Sequence, residues 1–541
     1  EVEVARYEPE ELEGQKGWTD REGTFHPYRG WRRIPIRETV ELTRTRMNEE
    51  SVIEIQIATG NANVKLKLHV FVREPGIHGT DPDTRMITFT LLNETEGGRR
   101  RNDECLFQCA FRVRAETGEP CFLEYPDRLD TSEGTAPSSE AAVLAQEEDE
   151  GMRLLYRDRR VFAVGHGCAP EWEDSTTDTT TMVRSESIPV YEVPPVLPSE
   201  LPELELRMEP LADDETMAVK TGERLCGMYS GWIDDLRRSV EAGSVPEELI
   251  AAAKRNISRA GECLRRMQEG VRILREDAPA RRAFRLMNQA MLMQQIHYQL
   301  SQKPRQWQVR NGQLVLEDPF TRPSYMGTSN QWRPFQFAFV LLNLRSILEP
   351  HHDDRRIVDV IWFPTGGGKT EAYLGLAAFT ILYRRITDPT AAGTVVLTRY
   401  TLRLLTTQQY QRAASLICAL EYLRRREEHE LGGDPITIGL WVGGSVTPNR
   451  EDQAVEALNR MLKEGDRENK FVLVSCPWCG AGMGAYQSGR SGKAYKVAGY
   501  RRLHGPQRVR HICDDPDCDF HDERGLPVLV TDEAIYESPP T

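Results

Sequence analysis

The stretch WFPTGGGKTEAYL, Trp362 to Leu374, decides how the rest of this sequence is read. It continues the apolar, strand-like run IVDVIWF and opens KTEAYLGLAAFTILY, whose apolar residues recur at helical spacing. Strand, glycine-rich turn and helix, in that order, are the context a phosphate-binding loop requires. Gly366, Gly367 and Gly368 let successive backbone N–H groups turn inward on phosphate oxygens, and the helix start adds the positive end of its dipole. Lys369 can then reach the β- and γ-phosphates of ATP, the Thr370 hydroxyl can bind Mg²⁺, and Thr365 completes the loop. Lys369 and Thr370 are thus candidate catalytic residues as well as ATP-binding ones. The strict pattern GxxxxGK[ST] would need a glycine where Phe363 stands. The bland alternative is a glycine-rich turn with a chance lysine, which leaves the flanking strand and helix unexplained.

At 541 residues the chain is long enough for about three domains. Hydrophobic residues make up 39 % and charged ones 28 %, and no apolar run approaches the roughly 18 residues of a membrane span, so the chain reads as soluble. The 11 cysteines, with no signal peptide before them, fit a reducing cytoplasm, where paired cysteines mean metal more often than disulfide. A net charge of −14 argues against a whole-molecule field that attracts nucleic acid, though a local basic channel is compatible with it. Both ends, EVEV without a methionine and ESPPT soon after a strand-like run, read as cuts.

Residues 1–215 read as a β-rich domain. SVIEIQIATG, NVKLKLHVFV, RMITFTLL and LFQCAFRVRA alternate with turn residues. Cys105, Phe107, Cys109, Phe111 and Val113 fall on one strand face, so these thiols belong to a core. The acidic, small-residue segment 128–151 has the composition of a mobile loop, and the proline-rich segment 189–206 that of a domain exit. In GHGCAPEW, His166 and Cys168 stand two apart, but no third orienting group accompanies them, and a glycine-rich turn explains them better than thiol catalysis.

Residues 216–310 read as a helical region. Ser244 and Glu247 have capping-box spacing, and Ile250, Ala253, Ile257, Ala260, Leu264, Met267, Val271 and Leu274 form one apolar stripe. DAPARR breaks that helix, and a Met-rich second helix is expected to fold back on it. The arginines Arg255, Arg259, Arg265, Arg266, Arg272, Arg281 and Arg282 suit a solvated helix face better than a nucleic-acid track. From residue 311 to 541 strand-like and helical segments alternate (IVDVIWF, TVVLT, ITIGLWV and FVLVS among the strands), which predicts a parallel sheet covered by helices.

Within that region CPWCG places Cys476 and Cys479 on one tight turn, and CDDPDC places Cys513 and Cys518 on another. Two thiolate pairs on two turns suit tetrahedral Zn²⁺ with no open position, a structural rather than a catalytic ion, with His511 or His521 as substitute ligands. Residues 471–525 therefore read as a zinc ribbon inserted into the α/β region. GYRRLHGPQRVRH inside it fits a phosphate-contacting loop and a solvated hairpin equally. PVLVTDEAIY raises Asp532 and Glu533 as an acidic box for hydrolysis; the preferred reading makes it the strand returning from the ribbon, with the true box beyond Thr541.

PTGGGKT resembles motif I of superfamily II helicases. RPFQ, Arg333 to Gln336, is similar to the adenine-reading element of that family, which implies that Gln336 recognises the base beside Arg333. TLRLLTTQ, Thr401 to Gln408, is similar to motif Ia, which implies nucleic-acid contacts at Arg403 and Gln408, with Arg399 as a competing arginine. VGG at Val442 to Gly444 matches a glycine pair there. With FAVGHGCAPEW, RPFQFAFVLLNLRSI and the CPWCG ribbon, the sequence resembles the helicase component of bacterial DISARM anti-phage systems, the DrmA family, across most of its length. The resemblance implies an α/β chain whose first RecA-like P-loop lobe carries the ribbon. It implies a cytoplasmic, ATP-dependent DNA translocase or helicase, acting on single-stranded DNA or a single-stranded end with a DrmB-type partner and completed by a second lobe further along. The alternatives are a nucleotide-gated switch that loads on DNA or a partner without moving, and an unrelated small-molecule kinase.

Overall fold

The computed structural model describes residues 1–11, 17–27, 29–61, 63–73, 83–95, 105–125, 139–173, 177–188, 200–363, 366–399, 403–465, 469–488, 494–503 and 507–537, without the side chains of residues 11, 27, 29, 403–407 and 494. Two compact units divide the chain: Glu1–Pro194 with Val245–Ala253, and Pro195–Ser244 with Lys254–Thr541.

The first unit is built from antiparallel sheets. A five-stranded sheet runs in the order Ala169–Trp172, Met182–Glu186, Phe107–Arg114, Val2–Glu11, Arg29–Glu38, and a three-stranded sheet joins Val52–Ile57, Leu66–Arg73 and Met86–Asn93. Along Leu66–Arg73 the residues Leu66, Leu68, Val70 and Val72 are buried while their neighbours are not, the two-residue period of a half-buried strand. They share one core with Val2, Val4 and Ile36 of the larger sheet. Cys109 and Phe111 pack against that core, but Phe107 turns outward. The cause is local: Gln108 has φ 52°, and the pairing of Val2–Glu11 with this strand shifts register between Glu3 and Ala5, so the strand's facing flips at the bulge.

Two short helices interrupt these sheets, α1 at Arg44–Glu49 and α2 at Glu140–Leu155. The second corrects the expectation of a mobile loop over the described part of 128–151, residues 139–151. Ser139 accepts a hydrogen bond from the Ala142 N–H at 3.3 Å, and the Ala- and Glu-rich run behind that cap propagates a helix despite its acidity. Residues 126–138 and 189–199 lie outside the described residues.

Among the described residues that follow, the α-helices are α3 Met208–Asp213, α4 Met217–Glu241, α5 Ile250–Glu276, α6 Ala278–Ser301, α7 Pro334–Leu348, α8 Lys369–Thr387, α9 Arg403–Arg426, α10 Glu428–Leu431, α11 Glu451–Glu464 and α12 Asp532–Glu537. A break at Asp277, whose carboxylate accepts from the Ala280 N–H at 2.7 Å, separates α5 from α6. In the second unit α6 is the centre: Ala283, Phe284, Leu286, Met287, Ala290 and Met291 are all fully buried, and the helix packs against α3, α8 and α9. The Met stripe is core. Several α5 and α6 arginines are held by carboxylates: Arg266 is buried and forks onto Asp359 at 2.6 and 2.8 Å, Arg265 pairs with Glu262, and Arg282 pairs with Glu427 and Glu430.

The expected parallel sheet is not built as one. Among the described residues, 357–363, 394–398, 436–442 and 471–475 form no ladder, and parallel pairing is confined to the isolated bridges Ile438 to Val528 and Arg305 to Ala481. Residues 357–363 nevertheless keep a strand-like alternation, with Val358, Val360 and Trp362 exposed and Asp359, Ile361 and Phe363 turned partly inward. Side-chain anchors fix this segment instead of ladder bonds, Arg266 on Asp359 and Phe335 stacked on Phe363 at 3.9 Å. The architecture is mixed α/β with several small sheets. No helix among the described residues is long and apolar enough to cross a membrane.

Helices α5 and α7 touch at Gly270, where a Cβ would lie 2.1 Å from the Leu341 carbonyl oxygen. We expect Gly270→Ala to destabilise the protein by about 1–3 kcal/mol through overpacking, read as a fall in thermal midpoint, whereas Gly261→Ala, in open space on the same helix, leaves the midpoint unchanged or raises it.

Candidate nucleotide and metal sites

Gly368 caps α8 with φ 87° and Gly366 has φ 84°, conformations that only glycine adopts without strain. Among the described residues other than its chain neighbours, no atom lies within 4 Å of where a Gly366 Cβ would be. Thr365 lies outside the described residues. Lys369 Nζ donates to the Phe363 carbonyl, arching its side chain back over the loop. The Thr370 hydroxyl donates to Gln409 Oε1 at 3.2 Å and accepts from the Tyr373 hydroxyl at 3.0 Å.

Arg333 and Gln336 meet this loop from the start of α7. Gln336 Oε1 accepts from the Arg333 N–H at 2.7 Å, the reach-back half of a capping box. Its Nε2 donates to the Gly368 carbonyl at 2.6 Å, and Arg333 donates to the Gly367 carbonyl at 2.5 Å. Both ends of the buried Gln336 amide are therefore engaged on the chain itself. This grouping of a positive-φ glycine cap, a lysine and a threonine at a helix start is a donor set that fits the phosphates of a nucleotide and a magnesium ion.

The other expected contacts are more scattered. Arg399 and Gln408 are exposed, and the Arg403 side chain, at the start of α9, lies outside the described residues. Glu533 accepts from the Glu451 N–H at 2.9 Å and so caps α11, while burial holds the Asp532 carboxyl above its ordinary pKa. Segment 527–530 does return from the ribbon to pair beside Ile438, with Ile438 N–H donating to the Pro527 carbonyl at 3.0 Å and Leu529 N–H to the Ile438 carbonyl at 2.8 Å. Cys168 is half-buried.

The cysteines converge. Cys476, Cys479, Cys513 and Cys518 are buried, and their sulfurs all lie within 4.8 Å of one another. A Zn–S bond of about 2.3 Å in a tetrahedron puts sulfurs about 3.8 Å apart, so this quartet fits one ion with small adjustments. Each pair sits on a turn closed by backbone bonds, Gly480 N–H to the Cys476 carbonyl at 2.9 Å and Cys518 N–H to the Asp515 carbonyl at 3.1 Å. The substitute histidines face elsewhere: His521 bonds the Cys513 carbonyl and His511 the Val528 carbonyl. In the basic segment, strands Tyr500–Arg502 and Val509–His511 form a hairpin whose Arg501 and Arg508 pair with Asp514 and Glu537, while residues 504–506 lie outside the described residues.

The ribbon is bolted to α6. Trp478, between two ligands, stacks on His297 with ring centroids 3.5 Å apart. Burial pushes the His297 pKa down to about 4, so at neutral pH the ring has one N–H. That proton belongs on Nδ1, which faces the Trp478 carbonyl, leaving Nε2 to accept from the Tyr325 hydroxyl at 2.7 Å. Arg305 ties the two turns together, donating to the Cys479 carbonyl at 3.1 Å and to Asp515 Oδ2 at 2.5 Å. Sequence reasoning missed His297, Arg305, Asp515 and Gln409, because none shares a spacing pattern with its partner.

Fold and sites together define a mixed α/β chain with a glycine-rich loop at a helix start and a four-cysteine cluster able to hold a metal. No protein-family model matches it. The chain does resemble the DISARM protein DrmA of Bacillus paralicheniformis, at 30 % identity over 535 residues that take in 93 % of this chain and 43 % of that protein. The chain thus spans less than half the length of the curated relative it matches, and the resemblance expected from its motifs is borne out.

We expect the purified protein to carry one zinc ion per chain by metal analysis, and Cys476→Ser to lose the ion and lower the thermal midpoint. Because the ligands are thiolates, zinc retention should weaken as pH falls and the thiols take up protons.

Proposed function

We propose that this chain supplies the first RecA-like lobe, residues 311–541, of an ATP-dependent DNA translocase or helicase acting in anti-phage defence. In this reading residues 1–215 and 216–310 form the β-rich and helical domains before it, and residues 471–525 a structural zinc ribbon inserted in it. The observation that carries the reading is the hold of Arg333 and Gln336 on the carbonyls of Gly367 and Gly368 beside Lys369 and Thr370. Similarity to a protein named for DISARM supplies the defence context.

In this reading Lys369 would hold the β- and γ-phosphate oxygens and Thr370 the magnesium ion, and Gln336 would release one end of its amide to meet adenine. Bound Mg²⁺·ATP supplies the phosphoryl bond whose hydrolysis drives movement. Because Gln336 and Arg333 also grip the loop, base recognition and loop shape are linked. Arg399, Arg403 and Gln408 lie toward the DNA, and a DrmB-type protein is the partner. Glu533 is left out of the hydrolytic machinery, since its carboxylate caps α11.

The test is ATP hydrolysis by the full-length protein with and without single-stranded DNA. We expect DNA to stimulate turnover and Lys369→Ala to abolish it. DNA-independent turnover of the same size in both proteins would reject this function.

A further inference from the structure

Helix α9 touches the first turn of α8 near its own start and the cysteine knuckle over the turns that follow. Near its start Gln409 accepts the Thr370 hydroxyl proton at 3.2 Å. Two residues on, Gln411 Nε2 donates to Ser475 Oγ at 2.7 Å, immediately before the first cysteine. Ser415, fully buried, donates to the Pro477 carbonyl at 2.9 Å, between Cys476 and Cys479. Arg412 pairs with Glu371 in the first turn of α8 and lies over the Tyr298 ring of α6. These contacts fix α9 over the turns that follow its contact with Thr370.

The Thr370 hydroxyl has one proton and two lone pairs. Gln409 takes the proton and Tyr373 donates to one lone pair, which leaves the second lone pair in a direction set by these two neighbours. A hydroxyl that binds Mg²⁺ does so through that lone pair and keeps its proton, so an acceptor for the proton orients the ligand without competing with the ion. We propose that Gln409 is a positioning residue for the Mg²⁺-binding hydroxyl of Thr370, held in place because Gln411 and Ser415 anchor α9 to the cysteine knuckle. The inference rests on the nucleotide-site reading above. On this inference the four-cysteine site sets where α9, and hence Gln409, stands against the loop.

The experiment measures equilibrium binding of methylanthraniloyl-ADP to the full-length, zinc-loaded protein by fluorescence, with Mg²⁺ and in Mg²⁺-free buffer without chelator, so that the zinc stays bound. In the wild type Mg²⁺ raises the affinity. In Gln409→Ala that gain falls about 10-fold while the Mg²⁺-free affinity holds, the size of effect that loss of an outer-shell partner has on a metal ligand. Gln409→Glu, which keeps an acceptor for the proton, retains the gain. Gln411→Ala, with its zinc content intact by metal analysis, loses part of it. A gain unchanged in Gln409→Ala overturns the proposal, as does an equal fall with and without Mg²⁺, which marks general damage to the loop. Wild-type protein that binds no nucleotide at all overturns the nucleotide-site reading itself, and the Gln409 role with it.

Discussion

The hydrogen bond from the Trp332 indole N–H to the Asn288 side chain, 2.6 Å long and fully buried, is the contact on which the setting of the glycine-rich loop depends. Asn288 lies in the middle of α6 and uses its other end to donate to the Phe284 carbonyl at 2.8 Å, so its amide is satisfied without water. Trp332 in turn packs against Gly375 on α8, where a Cβ would come within 2.5 Å of its ring. The residues that follow, Arg333 and Gln336, are those that grip Gly367 and Gly368. One buried indole thus fixes both the helix that the loop opens and the residues that hold the loop's carbonyls. Removing either partner would strand a polar group in an apolar core, at a cost of about 1–3 kcal/mol.

The cysteine knuckle is set on the same helix by other means. His297, nine residues after Asn288, stacks on Trp478 and bonds its carbonyl, and Arg305, just past the end of α6, reaches a carbonyl of one turn and a carboxylate of the other. Zn²⁺ held by the four thiolates would carry a net charge of −2, which the Arg305 guanidinium beside the quartet would offset in part where water is scarce. The quartet is therefore built into the body of the unit by α6 and α9 rather than hung on it as a separate module. On the inference drawn above, this is how a four-cysteine cluster could bear on the loop.

What could be read from the sequence was what is encoded locally. GGGKT marks a glycine-rich loop at a helix start because the glycines, the lysine and the helix are contiguous, and the two cysteine pairs mark a cluster able to hold a metal because each sits on its own tight turn. The Met stripe of α6 was legible by its period. Long-range pairing was not. Segments such as IVDVIWF have strand composition, but a ladder depends on a neighbour far along the chain, and here Arg266 and Phe335 fix the segment instead. Acidic composition also hid the helix at Glu140–Leu155, where Ser139 and a run of good helix formers outweigh the charge. The contacts of Asn288 with Trp332, Arg305 with Asp515 and Thr370 with Gln409 join residues tens to hundreds of positions apart, and no spacing announces them.

The central claim is that nucleotide binds at the start of α8. Amide hydrogen exchange of the full-length protein with and without Mg²⁺·ADP tests it most directly. Slowed exchange is expected in residues 366–370 and in the segments that touch them, 333–336 and the start of α9. Exchange unchanged across 366–370 at saturating nucleotide, with protection confined to other segments, would contradict it.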